Sequence, residues 1–263
     1  MPRKRISAKT KIEDPWTTLS DAILKTLSER QSDTRLMMLI QACDDLVRQN
    51  KLDILYDGLV DHLNNHFNKW HDELRSLASD ALLKKLSDQY THFKHISVII
   101  PTMYSSYDRH FSSEPQKILN MIRNLFSTKI LSDENLIDNS ITPLLIDHII
   151  SAQNGSEIDL NVIKNVIQMY YSFNNANEKP DIFNNFFDKL VKNEINSCET
   201  FFRDNFRNSS FTTYLTKVEN KYKIFNPIIC YLFKQKDANE ILTCFNITLL
   251  YDREDDFLIG HEP

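Results

Sequence analysis

Glycine is almost missing from this chain: Gly58, Gly155 and Gly260 are the only three in 263 residues. A dinucleotide-binding fingerprint, a phosphate-cradling loop and a nucleophile elbow each need glycines close together, where the backbone turns sharply or approaches a ligand. Three glycines so far apart supply none of these. Tight β-hairpins also favour glycine at positive φ, so their scarcity argues against an all-β fold. Helices need few glycines, and the composition therefore points to an all-α protein.

Other absences narrow the function. No apolar run approaches the ~20 residues that cross a bilayer, and no secretory signal is seen. The four cysteines, Cys43, Cys198, Cys230 and Cys244, form no CxxC pair. They fall in apolar helical patterns and read as reduced, buried thiols of a cytoplasmic or nuclear protein. The formal charge is −5 with both signs interspersed, so no nucleic-acid surface is evident. The exception is the leader, PRKRISAKTK, basic and without an acid. Within residues 1–15 it reads as a disordered arm, and residues 251–263 as a frayed acidic tail.

What is present is helical periodicity. Trp16, Leu19, Ile23 and Leu27 line one face of a first helix, with Pro15 suited to its first turn. Leu36 to Val47 carries two stripes: Leu39, Cys43, Leu46 and Val47 face a core, whereas Leu36, Met37 and Ile40 turn partly away. A helix apolar on more than one side is either buried all round or waits for a partner. A long pattern runs from Leu52 past Trp70 to Leu86, and another from Tyr90 to Phe111, where Pro101 predicts a kink or break. Gln116 starts a second set. Its helices cover 141–152, 161–173, 180–206, 211–233 (with Pro227 as a kink) and 238–250. Between the first two, Gly155 suits a helix C′ position and Asp159 an N-cap. The two sets, 16–112 and 116–250, have similar length and helix count. They suggest two stacked helical repeats, an elongated α-solenoid.

Several segments in collinear order resemble the N-terminal region of the cullins, the scaffolds of multisubunit ubiquitin ligases. Trp16-Thr17-Thr18-Leu19-Ser20-Asp21-Ala22-Ile23 is similar to the cullin opening. Leu55, Tyr56 and Leu59 match the third helix, and Ser106-Tyr107-Asp108-Arg109-His110-Phe111 keeps the Asp-Arg and final aromatic of the fifth. Gly155-Ser156-Glu157-Ile158-Asp159, Phe183 to Leu190, and Tyr214-Leu215-Thr216-Lys217-Val218-Glu219 match stretches of the second repeat. The resemblance implies a non-catalytic scaffold arm without a cofactor. It implies an adaptor of BTB/POZ fold (BTB, elongin C or Skp1 type) lying across the second and fifth helices of the first repeat. Carried to matching positions, the contacts are Leu36, Met37, Ile40 and Asp44, with Thr102, Ser106 and Arg109. Ile40 and Asp44 stand where the family carries tyrosines. Arg5-Ile6-Ser7-Ala8 and Lys164 to Met169 look most like the cullin-3 type, which uses BTB adaptors; Ile130 to Ile141 looks equally like the DDB1-binding branch. Complete cullins add a third repeat and a C-terminal domain that recruits a RING protein. The present chain resembles the adaptor-binding arm alone, a truncated form or a fragment.

Sharper readings of single residues lose to plainer ones. His62 and His66 have the i, i+4 spacing of two metal ligands, but no glutamate or further ligand pair accompanies them. They read as ordinary helix-surface residues, as do His92 and His95. Asp108 and Arg109 read as an ion pair closing a helix end. The phenylalanines between Phe173 and Phe233 recur at helical spacing and read as core. Nothing orders a serine, histidine and aspartate into a triad.

Overall fold

A computed structural model describes residues 14–29, 34–111, 116–174, 181–206 and 210–250. The basic leader and acidic tail noted in the sequence lie outside the described residues, apart from Asp14 and Pro15 at the leader's edge. The described residues are all-α, without a strand. Twelve α-helices follow one another: α1 (Pro15–Leu27), α2 (Leu36–Arg48), α3 (Leu52–Arg75), α4 (Ser79–Met103), α5 (Ser105–His110), α6 (Lys117–Phe126), α7 (Glu134–Leu136), α8 (Thr142–Gln153), α9 (Leu160–Phe173), α10 (Ile182–Phe206), α11 (Phe211–Leu232) and α12 (Gln235–Leu249). Two wider π-helical turns, Ser127–Leu131 and Ile137–Ile141, flank α7.

The helix ends follow from cap chemistry. Asp14, Asp133, Asp159 and Ser210 accept backbone N–H groups at the starts of α1, α7, α9 and α11, satisfying donors that the helix itself leaves open. At the end of α8, Gly155 takes φ +87°, and the N–H groups of Gly155 and Ser156 return to the carbonyls of Ala152 and Ser151, a Schellman closure. Asn50, at φ 57°, closes α2 in the same way.

The expected break between the first long helices falls elsewhere. Instead of a pattern running through Leu86, α3 stops at Arg75 and α4 runs unbroken from Ser79 past Tyr90. Ser79 makes the turn in the left-handed region, φ 54°. Pro101 and Pro227 both lie inside helices, and the break after Pro101 comes at Tyr104, the N-cap of α5.

The chain divides into two compact units, and the division differs from the 16–112 and 116–250 repeats expected. The first unit takes residues 1–73 and 91–130; the second takes 74–90 and 131–263. Polar contacts explain why 74–90 groups with the later helices. Asn165 Nδ2 donates to the Ser87 carbonyl at 2.7 Å, Tyr90 Oη meets Ser172 Oγ at 2.8 Å, and His148 Nε2 pairs with Asp80 at 3.1 Å.

The core of the first unit centres on Phe67, Phe93 and Phe126, with Phe93 and Phe126 ring centroids 4.3 Å apart. In the second unit α10 packs against α8, α9, α11 and α12. There Phe183, Phe186 and Phe187 are buried, Tyr171 stacks on Phe183 at 4.1 Å, and the Tyr214 hydroxyl donates to the Leu249 carbonyl at 2.9 Å. Most phenylalanines between Phe173 and Phe233 are core, as their spacing implied, whereas Phe201, Phe206 and Phe211 are half-buried.

Candidate functional site

The site is built on α2 and α5, which pack together within the first unit. α2 buries Leu39, Ala42, Cys43 and Leu46, a stripe at three- and four-residue steps. Cys43 faces α5, where the Tyr107 backbone is its hydrogen-bond partner; burial pushes its thiol up to about 11. Tyr104 anchors the start of α5 by donating its hydroxyl to the Leu55 carbonyl of α3 at 3.2 Å. Tyr107 stacks on Tyr56 of α3 at 6.3 Å, and burial raises its phenol to about 12. These contacts hold the two helices in register.

The outward stripe of α2 behaves differently. Met37 is 74% exposed and Leu36 40% exposed, whereas Leu39 is 1% exposed. Ile40 is half-buried. Asp44 lies a turn further on, paired with Arg48 at 2.7 Å. One helix thus presents a core face and a free apolar face.

The expected fifth-helix positions are spread over two elements. Thr102 lies at the end of α4, its hydroxyl donating to the Val98 carbonyl at 2.7 Å. Ser106 is 5% exposed, so it offers almost no contact area; its hydroxyl instead accepts from Arg109 Nη2 at 2.9 Å. Arg109 Nε also donates to the Ser105 carbonyl, which lays the exposed guanidinium along α5. Asp108 and Arg109 do not pair as expected. Asp108 reaches forward and accepts the Ile118 N–H at 3.1 Å, capping α6, whose own N-cap residue Gln116 makes no side-chain bond. Burial raises the Asp108 carboxyl, opposed by that hydrogen bond and by Lys117.

The sequence pattern did not single out Val98, which is 64% exposed one turn before Thr102. It sits in the run Ser97 to Ile100, where alternation gives no sign of which residue turns outward. The histidines also differ from the surface reading. His92 is 7% exposed, and His66 is half-buried with Nε2 lacking a hydrogen-bond partner. His62 stacks on Trp16 and meets Ser20 Oγ at 2.8 Å. Cys43 and Cys198 are buried as expected, but Cys230 is exposed and Cys244 intermediate. Among the described residues no helix is long and apolar enough to cross a membrane. No group of three or more His, Cys, Asp or Glu among them is placed to hold a metal ion.

Helices packed side by side, with an apolar stripe left open on one of them, define a helical scaffold. The family model for the cullin alpha solenoid domain matches residues 16–261, and the chain belongs to the cullin family. Its domain is a scaffold fold, generally non-catalytic, that in this family binds adaptor subunits of cullin-RING ligases. No curated protein matches the chain individually.

Proposed function

We propose that this chain is the scaffold arm of a cullin-RING ubiquitin ligase and that it receives a BTB/POZ-fold substrate adaptor on the face of α2 and α5. The observation that carries the reading is the exposure of Met37 and Leu36 on a helix whose opposite side is packed into the core. Large apolar side chains at an interface centre contribute most when water is excluded around them. Ile40, Asp44, Thr102 and Arg109 would complete the contact, with the Ser106 hydroxyl accepting from Arg109. The arm works by geometry, holding an adaptor and its substrate at a fixed place relative to the ubiquitin-charged enzyme, in the cytoplasm or nucleus.

Within the family, the leader Arg5 to Ala8 and the segment Lys164 to Met169 favour a cullin-3-like branch and a BTB adaptor over elongin C or Skp1 types. Binding of the full chain to one purified adaptor of each type, by calorimetry, tests this. A BTB adaptor should bind, and Met37→Asp should weaken it by about 10²-fold, because a charge enters a desolvated contact. Equal binding by wild type and Met37→Asp overturns the interface. Binding by the elongin C or Skp1 type alone overturns the branch.

A further inference from the structure

His92 of α4 is buried within the first unit, and both of its ring nitrogens have partners. Nε2 lies 2.9 Å from the Thr26 carbonyl, in the last turn of α1, and Nδ1 lies 3.1 Å from the Glu29 carboxylate. Both partners are acceptors. A neutral imidazole has one N–H and one lone pair, so it can satisfy either partner but not both. Only the imidazolium, with two N–H groups, makes both contacts at once.

Other groups complete the setting of this ring. A helix C-terminus carries partial negative charge on its last carbonyls, and Thr26 supplies one of them. Trp70 of α3 lies 5.3 Å from the His92 ring, within cation–π range. His66 of α3 meets the same ring edge-on at 5.7 Å, and His95 of α4 lies 6.5 Å away. His66 cannot take the charge: burial first, and then the His92 charge, lower it to about 4, with Lys69 adding to the fall and Glu73 opposing it. Glu29 reaches the ring because its backbone takes φ 59° just past the C-cap Ser28, an uncommon conformation for a residue with a side chain.

We propose that His92 is a proton-operated clamp, which when protonated ties the end of α1 to α4 through Thr26 and Glu29 and when neutral releases Glu29. Glu29 lies seven residues before Leu36, where α2 and its exposed face begin. The clamp stands whether or not that face binds an adaptor.

Two measurements on the full chain test the clamp. In long-range 1H–15N spectra of histidine-labelled protein, with His92 assigned through His92→Asn, both His92 nitrogens should be protonated at pH 5.5 while His66 stays neutral. At pH 8.5 His92 should hold one proton. A His92 ring that is neutral at pH 5.5 overturns the clamp. In thermal melts, Glu29→Gln should lower Tm by about 2–4 °C at pH 5.5 and leave it unchanged at pH 8.5. An equal loss at both values, or none at pH 5.5, overturns it as well.

Discussion

The Trp16 indole of α1 occupies the space where a side chain at Gly58 of α3 would begin, so that a Cβ at position 58 would overlap its six-membered ring. The two helices approach as closely as they do because Gly58 has nothing beyond its Cα. Gly58→Ala should therefore destabilise the chain by about 1–3 kcal/mol, as overpacking does, although alanine is the better helix former by ~1 kcal/mol. Urea unfolding measures the net effect. Trp16→Leu in the same chain should remove most of the Gly58→Ala penalty, since the ring is what the methyl group meets.

The two faces of α2 should separate in mutagenesis. Leu39→Asp places a charge in the core and should lower Tm sharply, at a cost of about 3 kcal/mol or more. Met37→Asp, at a site 74% exposed, should leave Tm within about 1 °C of wild type. A thermal melt of the two variants side by side decides whether the outer stripe is free.

Glu194 of α10 is 2% exposed, and Gln153 Nε2 of α8 donates to its Oε1 at 2.6 Å. Glu194 Oε2 and Gln153 Oε1 are both buried without a partner. Burial raises the Glu194 carboxyl, opposed by the Gln153 hydrogen bond and the Lys221 charge. A carboxyl raised in the folded state favours folding most when protonated. Its contribution is full below the ordinary carboxyl range and is lost as pH rises through the raised value. Glu194→Gln removes that loss. The variant should melt a few degrees above wild type at pH 7.5, and the difference should shrink toward pH 4.

Asp108 should matter to α6 rather than to Arg109. Asp108→Ala removes the acceptor for the Ile118 N–H and should cost about 1 kcal/mol. Asp108→Asn keeps an acceptor and avoids burying a charge, so it should cost less. Amide exchange at Ile118 should quicken in the alanine variant and little in the asparagine one.

Thiol reactivity should follow exposure. Burial pushes Cys198 to about 12 and Cys43 to about 11, which leaves almost no thiolate at neutral pH. A colorimetric thiol reagent should label the exposed Cys230 of the native chain within minutes. Cys43 and Cys198 should react only after denaturant is added.

How much of this could be read in advance depends on where the information sits. The turn between α8 and α9 was legible because Gly155 and Asp159 act locally: one allows positive φ, the other caps with its own carboxylate. The two stripes of α2 were legible for the same reason, since periodicity alone separates Leu39 from Met37, although Val47, expected in the core stripe, is half-buried like Ile40. The stop at Arg75 was not. Leu74, Leu77 and Leu82 continue an apolar rhythm through it, and Ser79 takes φ 54° without the glycine that would announce it. The wide turns beside α7 have no side-chain signature. In the site, the burial of Ser106 and the exposure of Val98 depend on where neighbouring helices lie, which spacing on one helix does not encode. His66 and His92 looked like surface residues because histidine scores as polar; the Thr26 carbonyl, the Glu29 carboxylate and the Trp70 ring that meet His92 come from outside α4, so spacing along α4 does not reveal them.

The reversal between Ala152 and Asp159 has a consequence for how the chain folds. Both orphaned ends of its helices are satisfied by residues within a few positions of the bend. The loop that must be closed is short, so its entropic cost is small. Contacts near in sequence also form ahead of distant ones. α8 and α9 should pair early, before α10, α11 and α12 can be gathered. Glycine and aspartate at this bend therefore influence the order of events during folding, and Gly155→Val should slow refolding in a stopped-flow experiment.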